Sequence, residues 1–75
     1  MTLREKRLAY WINYRNVTVP AKIAANDAVI AALRNETDYD TNLALQAEVS
    51  SREASTAKYH AAQSEVDEII LALTP

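Results

Sequence analysis

Large apolar residues mark three stretches of the chain, and polar or β-branched breaks separate them. Leu3, Leu8, Tyr10, Trp11, Ile12 and Tyr14 mark the first. Ile23, Val29, Ile30 and Leu33, set among alanines, mark the second. The third runs from Leu43 to Leu73 and meets nothing that breaks a helix before Thr74-Pro75. The pattern predicts an all-α protein with helices at about 2–15, 20–35 and 40–73.

The breaks have their own chemistry. The pairs Arg15-Asn16 and Arg34-Asn35 each precede a stretch that does not read as helix. Glycine is the usual residue at a left-handed helix end and asparagine the next choice, so Asn16 and Asn35 read as helix stops. Arg15 and Arg34 then sit in a last turn, near the negative helix end. Val17-Thr18-Val19 reads as an extended connector. Pro20 reads as a helix start, because proline suits the first helical position and disfavours helix before it. Asp38, Tyr39, Asp40, Thr41 and Asn42 form an acidic turn, from which Thr37 with Asp40, or Asp40 and Thr41, cap the third helix.

At about 1.5 Å per residue the third helix spans roughly 50 Å. Its ends carry large aliphatics and its middle carries mainly small and charged residues. Leu43, Ala47, Ser50, Ala54, Ala57, Ala61 and Ser64 recur at three- and four-residue steps, as a small-residue seam with the spacing of a coiled coil. Folding the chain at the acidic turn sets Ile30 opposite Ala47, Ile23 opposite Ala54, and Leu8 opposite Ile69. Trp11 or Ile12 then faces Val66. The expectation is an antiparallel helical hairpin or three-helix arrangement, one domain over residues 1–75, with the small-residue seam facing helix 2.

A two-layer hairpin leaves one flank of each helix bare, and helix 2 is apolar over much of its circumference. Either the chain closes into a tighter three-helix bundle, or the second apolar surface meets another copy or a larger protein. A chain this short rarely gains more than about 3–5 kcal/mol from its own core, which favours association.

Composition narrows the function. The chain has no cysteine, no glycine and one histidine. That removes disulfides, thiolate metal sites, multi-histidine metal cages and glycine-rich phosphate loops. His60, Ser64 and Asp67 share one helix face, but mid-helix N–H groups are already bonded and supply no oxyanion hole. Asp38 and Asp40 lack the spacing and glycine of a calcium loop. The reading is a protein that is not an enzyme and takes no cofactor, metal or small molecule. No stretch approaches the roughly 20 apolar residues of a membrane span, and the N-terminus does not read as a signal peptide. A cytoplasmic location, or a particle assembled in a cytoplasm, is expected.

Charge is distributed unevenly. Residues 1–22 hold five cations against one acid, a net of +4; residues 23–75 hold three against nine, a net of −6. Three of the five aromatic residues lie in the basic segment. Aromatic residues and arginine are enriched in binding hot spots, so Arg4, Lys6, Arg7, Tyr10, Trp11, Tyr14, Arg15, Ile23 and Ile30 are the candidate partner-binding residues. The same composition admits nucleic acid as an alternative, with cations on phosphates and aromatics on bases. An isoelectric point near 5.2 weighs against that alternative. Glu65, Asp67 and Glu68 read as the contact for the Arg4-Lys6-Arg7 cluster. The function expected is a small, self-associating helical interaction module: a structural or assembly component, or an inhibitor or adaptor of a larger protein. Such chains suit viral or mobile-element accessory roles.

Overall fold

The computed structural model describes residues 1–75 and is all-helical, with no strand. Helix α1 spans Leu3–Asn13, α2 spans Val19–Arg34 and α3 spans Leu43–Leu73. The backbone does not open between α1 and α2. Tyr14–Thr18 form a single π-helical turn, and Tyr14, Thr18 and Val19 keep right-handed helical dihedrals. The first arm is therefore continuous from Leu3 to Arg34, and there is no separate third helix.

This corrects two expectations. Asn16 does not stop a helix, and Val17-Thr18-Val19 is not an extended connector. The physical reason lies in what proline does inside a helix. Pro20 has no N–H, and its ring crowds the carbonyl four residues back, that of Asn16. A π-turn widens the helix at that point: the Val19 N–H bonds the Tyr14 carbonyl, five residues back. One extra residue thus absorbs the proline without ending the arm.

The ends are capped by side chains. Thr2 opens α1 with a reciprocal capping box: the Glu5 N–H donates to Thr2 Oγ1 at 3.2 Å, and the Thr2 N–H donates to Glu5 Oε1 at 3.3 Å. Asn35 does close α2, but at φ −83° and ψ −8°, with no left-handed residue anywhere in the chain. Asn42 opens α3, accepting from the N–H groups of Ala44 and Leu45 at 3.1 and 3.3 Å. The caps expected from Thr37, Asp40 and Thr41 are not formed; α3 starts three residues later than expected.

Cross-arm bonds set the two arms antiparallel. The short side chains of Asn26 and Ser55 meet at 3.3 Å and fix the register. The expected pairing of Ile23 with Ala54 is therefore displaced by about one helical turn along α3. The inward positions of α3 are Leu45, Val49, Arg52, Thr56, Tyr59, Gln63, Val66, Ile70 and Leu73, all buried or half-buried, at alternating steps of four and three. Residues Leu43, Ala47, Ser50, Ala54, Ala57, Ala61 and Ser64 are all exposed. The small-residue seam thus faces away from the first arm. Larger side chains take the inner side because they remove more apolar area from water.

Only five residues are buried: Val19, Ile30, Val49, Val66 and Asn26. Asn26 donates to Ser55 Oγ and accepts from Arg52 Nη1 at 3.2 Å, so the middle of the inner seam is polar. The radius of gyration is 16.8 Å, where a compact chain of this length has about 11 Å. The accessible surface is 5366 Å², against about 4,600 Å² for a compact monomer of this mass. The molecule is a rod of 54 × 16 × 13 Å. No helix is long and apolar enough to cross a membrane.

Candidate interaction surface

The nine candidate residues divide into three groups. Tyr10, Trp11 and Tyr14 lie one helical turn or less apart on the first arm, and the fold brings their rings together. Tyr10 meets Trp11 edge-on at 5.0 Å between centroids, Trp11 meets Tyr14 edge-on at 5.7 Å, and Tyr10 stacks with Tyr14 at 6.4 Å. The Arg7 guanidinium lies 5.8 Å from the Tyr10 ring centroid, a cation over an aromatic face. Tyr10 remains 54% exposed, while Trp11 and Tyr14 are half-buried against α3. Lys6 is exposed beside this cluster.

Arg4 and Arg15 have partners within the chain. Arg4 Nε and Nη2 donate to the carbonyls of Leu73 and Ala72, each at 2.9 Å. These are orphan carbonyls at the last turn of α3, so a cation of one arm caps the negative end of the other. Arg15 forms an ion pair with Asp67. The expected contact between the Arg4-Lys6-Arg7 cluster and Glu65, Asp67 and Glu68 is thus replaced: Asp67 belongs to Arg15, and Arg4 goes to carbonyl groups. Arg15 also lies inside the π-turn rather than at a helix end.

Ile23 and Ile30 face α3. Ile30 is buried in the chain's own core and Ile23 is half-buried, so neither offers a free surface. The apolar excess of the second helix is partly consumed inside the molecule.

The arms define two broad faces of different character. At 100° per residue, Arg15, Arg34, Glu53 and Asp67 project to the same side of the plane through the two helix axes. Both cross-arm ion pairs, Arg15–Asp67 and Arg34–Glu53, lie there. Ile12, Asp27, Gln46 and His60 share that side. These pairs are half-exposed, where an ion pair is worth about 0–1 kcal/mol. The opposite face carries Leu3, Tyr10, Ala25, Val29 and Ala32 on the first arm, with Ser55, Ala62 and Ile69 on α3, and the exposed charges of Arg7, Lys22 and Glu48 share it. No ion pair between the arms crosses it. Leu3 is 74% exposed. Leu3, Ala25, Ala32 and Ile69 were not among the sequence candidates. The signal was their position relative to Tyr10, which is readable only when the first arm is one helix.

The surface holds no cavity. Comparison with protein-family models, curated proteins and solved structures finds no match.

Proposed function

We propose that this protein is a non-enzymatic helical interaction module that self-associates, serving as a structural or assembly component or as an inhibitor or adaptor of a larger protein. One observation carries the reading: a 75-residue rod with five buried residues leaves Leu3, Tyr10, Ile12, Val17, Leu43 and Leu71 exposed to water. A core of four aliphatic side chains is small against the conformational entropy of ordering two long helices. Covering these exposed side chains adds the missing burial.

Lys6 and Arg7 beside Tyr10 support a second reading, a nucleic-acid-associated regulator. Arg4 and Arg15 weigh against it, since both have partners inside the chain.

Thermal unfolding at a series of protein concentrations tests the first reading. Self-association by the folded state alone makes the midpoint rise with concentration. A midpoint independent of concentration contradicts it. Binding to single-stranded DNA or RNA that falls steeply with salt supports the second reading, and no binding at low salt removes it.

A further inference from the structure

Polar contacts join the arms at four levels, and only one of them resists a slide along the rod. We propose that Asn26, with Ser55 and Arg52, locks the axial register of the hairpin, which the apolar seam and the other arginine contacts leave open. The lock acts within one chain and does not depend on self-association.

The arginines reach too far to set a register. In an antiparallel pair, residues at one level have numbers with a constant sum. Asn26 and Ser55 add to 81. Arg34 and Glu53 add to 87, an axial offset of about 9 Å at 1.5 Å per residue. Arg4 and Leu73 add to 77, an offset of about 6 Å the other way. A slide of one turn, about 5.4 Å, shortens one of these offsets whichever way it runs. Arg15 and Asp67 are nearly level, and the same slide sets them no farther apart along the axis than Arg34 and Glu53 already are.

The apolar seam and the turn are equally permissive. Inward residues recur every three or four positions on both arms, apart from the π-turn, so a one-turn slide keeps the inner faces opposed. Aliphatic burial has no direction of its own. Asn35 keeps right-handed dihedrals and no residue of the chain is left-handed, so α2 can lengthen or shorten by a turn.

The centre of the seam is different. Asn26 is 5% exposed; its amide donates to Ser55 Oγ at 3.3 Å, and its carbonyl oxygen accepts from Arg52 Nη1 at 3.2 Å. Asparagine and serine side chains are too short to follow a displacement of a whole turn. Arg52 is held at this level by Glu48, 3.6 Å away and one turn back on α3. A slide leaves the buried amide unpaired, which costs more than a hydrogen bond contributes. A polar centre thus gives up apolar burial and selects one register, the role a lone buried asparagine has in coiled coils. The register in turn decides which residues of α3 meet Trp11 and Tyr14.

The distance between two spin labels, read by double electron–electron resonance, tests the lock. The chain has no cysteine, so Asn13→Cys and Ala47→Cys, both at exposed positions, carry the labels. They lie about 30 Å apart along the rod, so a slide changes their separation almost one for one. Labelled chains are diluted into an excess of unlabelled chain, which removes distances between copies. The parent should give one narrow distance. Asn26→Leu with Arg52→Leu and Ser55→Ala removes the network and leaves no partner unpaired. This variant should keep its helical circular dichroism yet add a component displaced by about 5 Å, one helical turn. Arg15→Ala with Arg34→Ala breaks both cross-arm ion pairs and should keep the parent distance. A single parent distance in the first variant overturns the lock, and so does a broadened or displaced distance in the second.

Discussion

The first arm and α3 are nearly equal in length, yet they hold their inward faces differently. On α3 the inward residues step by four and three from Leu45 to Leu73 without a fault. On the first arm they run Leu8, Trp11, Tyr14 and then Val19, Ile23, Asn26, Ile30 and Leu33. The step from Tyr14 to Val19 is five, and it falls on the π-turn. A regular helix anchored at Val19 would turn Arg15 and Ile12 inward. The extra residue rotates α1 by about 100°, so Tyr14 and Trp11 face α3 instead. A helix can keep its hydrogen bonds and still change which side chains it presents. Here the change brings the aromatic cluster against α3 and leaves Arg15 outside, where it pairs with Asp67.

The sharpest break of this comparison is at the inward face of α3. Val66→Asp sets an unpaired carboxylate among the arms, at a cost of about 3–5 kcal/mol, which matches the whole stability expected of so short a chain. Loss of the helical circular dichroism signal is the expected result. A folded variant would mean that Val66 is not a core residue.

Next comes a change of phase rather than of stability. Pro20→Ala restores the missing N–H and lets the first arm relax to a regular α-helix, moving Trp11 toward water. Its fluorescence emission should shift to the red while helix content holds. An unchanged spectrum would assign the π-turn to the packing of Trp11 and Tyr14 instead of to Pro20.

The polar middle of the inner seam gives two smaller effects of opposite sign. Asn26→Ala leaves Arg52 and Ser55 without their shared partner and should cost about 1–2 kcal/mol in chemical denaturation. Thr56 Oγ1 is buried with no hydrogen-bond partner. Thr56→Val keeps the side-chain shape and removes that hydroxyl, so it should stabilise by about 1 kcal/mol. That corresponds to roughly 4–8 °C in midpoint for a domain of this size. A loss of stability would show that the hydroxyl is satisfied in solution.

These predictions also mark how far local signals carried. Helix content, the acidic turn and the stop at Asn35 follow from residue types near those positions. The break at residues 16–19 does not, because proline and β-branched residues report local preference, and packing along α3 overrides it. The caps were written in the chain all the same: Thr2-Leu3-Arg4-Glu5 is a capping box, and Asn42 stands directly before Leu43. The side on which the small residues lie was misjudged because regular spacing identifies a face without saying where it points. The aromatic cluster was legible from the spacing of Tyr10, Trp11 and Tyr14. The cap that Arg4 places on α3 was not, since it depends on where two distant segments end relative to each other.

With four aliphatic side chains in its core, this hairpin gains from association with a second copy. The decisive measurement is absolute mass by light scattering across a hundredfold range of concentration. Self-association gives a mass that rises from 8.4 kDa toward a multiple of it as concentration increases. A mass of 8.4 kDa throughout would contradict it.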